Sequence, residues 1–319
     1  MELDYPDFEI IILPDADIGS IDNLHATRYT LHAKEGAVPI RIIPTGPLAP
    51  SRKRDIAINY ANGEILAFID DDAYPVRVWL KNAVNDFNDP KVAAVGGPAV
   101  TPQGDTTKQK ASGLIYSSPL VSGKYAYRYL PGKRMEVDDY PSCNLLIRKS
   151  IMQELGGFKT NFWPGEDTKL CLDVTKRLGK KIIYDPEVIV YHHRRNLFLP
   201  HLRQIANYAL HRGYFVKRYP ATSLKVAYFI PSIFLLFLLA GWCLVWPIST
   251  LKIIYLFILS LYLLLAIIFS SNKKPSLFLL IYTGTILTHL TYGLFFLIGL
   301  LAKTLSEEKG TVPVESKAK

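Results

Sequence analysis

Short apolar runs separated by breakers fill the first two thirds of the chain, and long apolar runs fill the last third. Phe8 to Leu13, Pro39 to Pro44, Ile65 to Ile69, Val92 to Val95, Leu145 to Arg148, Lys181 to Tyr184 and Val188 to Tyr191 have the length and composition of strands. Ser51 to Asn62 predicts a helix stopped by Gly63, and Val78 to Phe87 predicts an amphipathic one. After Thr168, Leu170, Val174 and Leu178 fall at helical spacing before Gly179. Alternating strands and helices predict an α/β domain over residues 1–195. The five consecutive apolar residues Ile65 to Ile69 predict a strand buried on both faces. From Thr101 to Tyr140 periodicity is lost, which predicts a functional or mobile loop.

Beyond the domain, Val226 to Pro247, Ile253 to Ser270 and Leu277 to Ala302 contain no Asp, Glu, Lys or Arg. Each approaches or exceeds the ~20 residues that a bilayer needs. They predict three transmembrane helices over 224–303, followed by a polar tail over 304–319. Residues 196–223 place Leu197, Phe198, Leu202, Ile205, Tyr208, Ala209 and Phe215 among Arg and His, the pattern of an interfacial amphipathic helix. Thr285, Thr288, His289 and Thr291, with Gly284 and Gly293, predict a helix-packing face in the last run.

Charge refines this picture. The formal net charge is +9, but Arg212, Lys217, Arg218 and Lys225 sit beside the apolar runs, where they suit anionic headgroups and the positive-inside rule. No nucleic-acid-binding motif accompanies them, so nucleic acid is excluded as a partner. Cys143, Cys171 and Cys243 have the spacing of neither a disulfide framework nor a zinc site, which fits a reducing compartment. The acidic opening Met1-Glu2-Leu3-Asp4 and the short run Glu9 to Leu13 do not read as a secretory signal. The expectation is a multi-pass protein of the cell membrane with its α/β domain in the cytoplasm. Ser249-Thr250 would then lie outside, Asn272 to Pro275 inside and the tail after Lys303 outside.

Two acidic clusters carry the candidate chemistry. Asp70-Asp71-Asp72 follows a strand, at the rim where open α/β sheets bind ligands. Three adjacent carboxylates suit a hard divalent cation, Mg2+ or Mn2+, although a solvated helix-capping turn would look the same. Glu166-Asp167 falls in the first turn of a helix, whose dipole favours the ionised forms; such a pair either caps the helix or offers a base. Lys53 and Arg54 lie early in a helix, an arrangement that favours phosphate, and Asp15 stands at the exit of the first strand. His192 and His193 end the last strand of the domain.

In this order, Asp15, Lys53-Arg54, Asp70-Asp71-Asp72, Gly156-Gly157-Phe158, Gly165-Glu166-Asp167 and His192-His193 resemble glycosyltransferase family 2, over Tyr5 to Arg195. The resemblance implies a GT-A type fold, a Rossmann-like mixed sheet, and inverting transfer from a nucleotide-diphosphate sugar, a UDP-sugar ahead of a GDP-sugar. It implies that Asp15 reads the nucleoside and that Arg54, with Lys53, neighbours the diphosphate. Asp70, with Asp71 beside it, would contact ribose or nucleotide, and Asp72 would ligate the metal. Asp167, in a pair with Glu166, would be the catalytic base, His192 would approach the metal or diphosphate, and Trp163 would lie on the acceptor side.

Two departures bear on this reading. Family members open with a strand and a Pro-aromatic-Asn turn, whereas Met1 falls near the second strand, which points either to an internal start or to a shortened copy. The Gln-x-x-Arg-Trp motif of chain-building synthases has no counterpart in Leu202 to Tyr208. The expectation is therefore transfer of a single sugar to a lipid-linked or membrane-proximal acceptor in glycan, cell-wall or surface-polysaccharide assembly. The alternative is a catalytically weak, nucleotide-sugar-binding scaffold of a membrane complex. A transporter is disfavoured because the apolar runs hold no ionisable group for coupling, apart from one histidine.

Overall fold

The computed structural model describes residues 3–17, 38–245, 249–271 and 274–309. β1 (Ile10–Ile12) pairs in parallel with β2 (Ile40–Ile42). α1 (Pro50–Tyr60) begins on Pro50, where a missing N–H leaves no helical bond unmade. There follow β3 (Ile65–Ile69), β4 (Ala73–Pro75), α2 (Trp79–Asp86), β5 (Val92–Gly96) and β6 (Ala99–Val100). Then come α3 (Thr107–Tyr116), α4 (Pro119–Ser122), β7 (Met135–Val137), β8 (Asn144–Arg148) and α5 (Lys149–Leu155). α6 (Glu166–Leu172), β9 (Lys181–Tyr184) and β10 (Val190–His192) close the series.

The central sheet is mixed, in the order β3-β8-β5-β9-β7, with β5 and β9 parallel and the other pairs antiparallel. Successive residues of β8 serve opposite faces, as strand geometry dictates: Leu145 and Ile147 join a core with Phe68, Met152 and Phe158, whereas Leu146 joins Trp79, Val95 and Val190. A second sheet has the order β4-β10-β6.

Two expectations need correction. β3 is not buried on both faces, since Leu66 and Phe68 are buried while Ala67 and Ile69 are exposed. It is an edge strand, and the strands covered on both faces are its interior neighbours β8 and β5. The segment from Thr101 to Tyr140 also contains α3, α4 and a 3-10 turn over 123–128. Thr106 and Gln109 cap α3 reciprocally, a Thr-x-x-Gln capping box legible in the sequence.

The carboxyl-terminal region comprises α7 (Leu199–Arg218), α8 (Pro220–Ser223), α9 (Val226–Val245), α10 (Ser249–Ser271), α11 (Pro275–Leu301) and α12 (Ser306–Lys309). Helices form at all three apolar runs, and among the described residues α10 and α11 are long and apolar enough to cross a membrane. α9 is an apolar helix of 20 residues, of which the stretch Val226–Gly241 lies within the fully described residues. Asn272, Lys273 and the tail past Lys309 lie outside the described residues. The small and polar residues of α11 do pack: Gly293 meets Pro231 of α9, and Thr288 meets His201 of α7 at 3.0 Å.

Candidate active site

The turn after β3 carries the three aspartates, and sheet pairing explains why a histidine far along the chain joins them. β10 runs antiparallel to β4, with His192 opposite Ala73. His193 N–H donates to the Asp72 carbonyl at 2.9 Å. His192 Nε2 then lies 2.8 Å from Asp72 Oδ1, and ligand atoms of Asp70, Asp72 and His192 all fall within 4.8 Å of one another. Two carboxylate oxygens and one imidazole form a donor set that suits Mn2+ and, less specifically, Mg2+. Arg194 Nη1 lies 3.0 Å from His192 Nδ1, so the ring is held between Arg194 and Asp72. Burial tends to raise the Asp72 carboxyl, but the His192 hydrogen bond and the charges of His192 and Arg195 hold it below the usual carboxylate range.

Arg54 ties this turn to the second acidic pair. Its Nη2 donates to Asp70 at 2.6 Å, and its Nη1 donates to Glu166 at 3.0 Å and to Ser142 at 2.8 Å. The guanidinium lies beside the paired Phe68 and Phe158 rings, 5.8 Å from each centroid. Glu166, almost fully buried, also accepts from Ser142 and from the Gly165 N–H. Lys53 donates to Asp15 and to the Leu13 carbonyl, so these two expected residues stand together at the end of β1. Asp71 is exposed on its turn.

Asp167, half-buried, accepts from the Thr168 N–H at 2.7 Å and lines a cavity of about 510 Å³. Burial, reinforced by the charges of Glu166 and Asp139, pushes its carboxyl up to about 7. The same cavity is lined by Asp72, His192 and Arg194, and it continues to Pro231 and Phe234 of α9 and Tyr262 of α10. Trp163 is 59% exposed and is not among the lining residues, although its neighbours Pro164 and Gly165 are.

Sequence reasoning missed the residues behind Asp167. Asp139 is buried, accepts from Arg212 at 3.0 Å and from Thr168 Oγ1 at 3.3 Å, and lies 3.6 Å from Arg128. Burial tends to raise its carboxyl, but Arg212 and Arg128 hold it below the usual range. Asn144 was missed as well: its amide donates to the carbonyls of Gly97 and Val188 and accepts from Trp79 Nε1, joining three segments beside the site. The local hint was a polar residue opening the apolar run Leu145 to Ile147.

Residues 1–156 match the family model described as Glycosyl transferase family 2. A pre-mycofactocin glycosyltransferase of Mycobacterium tuberculosis is 29% identical over 147 residues, which are 46% of this chain and 30% of that protein. A glucosyl-dolichyl phosphate glucuronosyltransferase of Haloferax volcanii is 24% identical over 151 residues, 44% of this chain and 47% of that protein. The chain thus spans less than half the length of these curated relatives. A mannosyltransferase from Pyrobaculum calidifontis, solved in complex with GDP-Man and Mn2+, superposes with a TM-score of 0.50 at 18% identity, over 94% of this chain and 80% of that one. That likeness concerns the fold. Residues 1–156 of this chain thus carry a match to glycosyltransferase family 2, and the mixed α/β sheet is of the GT-A type.

Proposed function

We propose that the protein is a membrane-associated, metal-dependent, inverting glycosyltransferase that moves one sugar from a nucleotide-diphosphate sugar to a lipid-linked acceptor. The observation that carries this reading is the cavity that joins Asp72 and His192 to Asp167 and continues between apolar helices. The relatives' names point the same way, one acting on a dolichyl phosphate and one superposed structure holding GDP-Man and Mn2+.

Asp70, Asp72 and His192 would hold Mg2+ or Mn2+, which when bound offsets charge developing on the leaving diphosphate. Asp15 would hold the nucleoside, with Lys53, hydrogen-bonded to it, reaching toward the diphosphate. Arg54 positions Asp70 and Glu166 together, so that the metal turn and the base keep a fixed relation. Asp167 takes the acceptor hydroxyl proton; a carboxyl near 7 is matched to that task at neutral pH. Attack from the side of Asp167 on a sugar whose diphosphate leaves toward Asp72 inverts the anomeric carbon in one displacement. The cavity wall formed by Pro231, Phe234 and Tyr262 would receive the acceptor's apolar portion. The catalytic domain is assigned to the cytoplasmic side.

The test uses the purified full-length chain with Mn2+, a panel of UDP- and GDP-sugars and a detergent-dispersed polyprenyl phosphate fraction. Nucleoside diphosphate release together with a labelled lipid product is the expected result. Transfer only to water-soluble acceptors would overturn the lipid assignment. Donor binding without release from any sugar would favour the scaffold reading.

A further inference from the structure

α11 has the length and composition of a membrane span, yet both of its ends rest on the same domain. At its start Leu277, Leu280 and Ile281 pack with Ala111 and Ile115 of α3 and with Leu197. Past its end, Leu305 packs with Phe162 and with Tyr214 and Phe215 of α7. Glu307 of α12 lies 2.9 Å from His211 Nε2, and Glu308 accepts from the Tyr214 hydroxyl. Between these anchors, His289 Nε2 lies 3.1 Å from the Leu120 carbonyl of α4.

At a rise of ~1.5 Å per residue, the 27 residues of α11 run for about 40 Å, against ~30 Å of bilayer hydrocarbon. α7 lies beside α11 and exposes Arg203, Asn207, Lys217 and Arg218 along its own length. Were α11 to cross, these side chains would be carried through hydrocarbon, where charged groups are strongly disfavoured. α10 differs: Tyr255, Ala266 and Ser270 form one buried seam, while Ile253, Phe257, Leu264 and Ile268 are exposed on other sides. α9 likewise exposes Ile230, Ile233 and Leu239.

We infer that only the α9–α10 hairpin crosses the bilayer, and that α11 lies along the leaflet facing the catalytic domain. The partner surface is a lipid leaflet, met by the exposed stripe Leu279, Leu287, Leu294, Ile298 and Leu301. This deepens the membrane reading proposed above and rests on it. It moves the carboxyl-terminal tail to the catalytic side, opposite to the side that a third span would give. Lys303 then joins Lys274 on one face of the membrane, as the positive-inside rule favours.

The experiment places single cysteines at exposed positions of the full-length chain in cells, as Ser249→Cys, Thr304→Cys and Lys133→Cys, in a Cys243→Ala background. A membrane-impermeant maleimide is applied before and after permeabilisation. Ser249→Cys is expected to label on the side opposite to Lys133→Cys, and Thr304→Cys on the same side as Lys133→Cys, each by at least tenfold over the other condition. Thr304→Cys labelling opposite to Lys133→Cys, or Ser249→Cys labelling with it, overturns the inference. The readout does not use sugar transfer, so an inactive protein leaves the inference standing. A chain that fractionates entirely as soluble protein overturns both it and the membrane reading.

Discussion

Arg212 donates to Asp139 over 3.0 Å, and that bond ties α7, the helix packed along α11, to the wall behind Asp167. Asp139 is buried and its second cation, Arg128, is 3.6 Å away. Arg212→Met should therefore destabilise the protein by about 3 kcal/mol, because a buried carboxylate loses its nearer partner. Denaturant unfolding in detergent measures the loss. Adding Asp139→Asn should recover more than half of it; a single-variant loss within experimental error would mean that the pair is solvated.

Asp167→Asn should lower turnover on the order of a hundredfold or more, with donor affinity nearly unchanged, because a base acts on the acceptor in the transition state. Calorimetric donor binding beside steady-state rates separates the two quantities. If donor affinity collapses instead, Asp167 belongs to the nucleotide site.

The position of the Asp167 carboxyl also makes stability depend on pH in a defined direction. Between its ordinary 3.8 and about 7, the folded chain keeps a proton that the unfolded chain has lost, so stability falls as pH rises through that window. Asp167→Asn should accordingly raise the unfolding temperature relative to the parent at pH 8 and leave it unchanged at pH 3. The transfer rate should run the opposite way, rising about tenfold per pH unit and levelling above about 7. A larger gain from the substitution at pH 3 than at pH 8 would reverse the assignment.

Asp72→Asn should weaken Mn2+ binding at least tenfold and remove most turnover while leaving the unfolding transition in place, since a neutral amide replaces an anionic ligand. Electron paramagnetic titration of Mn2+ reports the binding directly. Full turnover after chelation would refute metal dependence.

Much of the strand order was legible, because breakers such as Gly63 and Pro14 bracket runs whose length fits only strands. The acidic clusters were legible for the same reason, each at an element boundary. What the sequence hid was partnership at a distance. Arg212 and Asp139 are 73 residues apart, and Arg54 meets Glu166 across 112 residues, so no local pattern could announce either bond. β3 misled because an edge strand and an interior strand can share one apolar run; its neighbours, not its composition, expose Ala67 and Ile69. The surroundings of α11 were hidden by the same kind of limit, since hydropathy counts residues and does not see that both helix ends pack against one domain.

The seam between α7 and α11 has glycines where the backbones touch: a Cβ on Gly213 would overlap the Phe296 carbonyl, and one on Gly299 would overlap that of Leu210. Larger residues there would wedge the helices apart and tilt the domain away from the lipid. With the seam closed, close packing of α7 on α11 would set the height of Asp167 above the leaflet inferred above. On the lipid-acceptor reading proposed above, the protein would work as a ruler, accepting molecules whose hydroxyl stands at that height when their tail is seated. Lengthening or shortening the polar segment between tail and hydroxyl of a synthetic acceptor should accordingly give a sharp optimum in rate, and Gly213→Leu should blunt it.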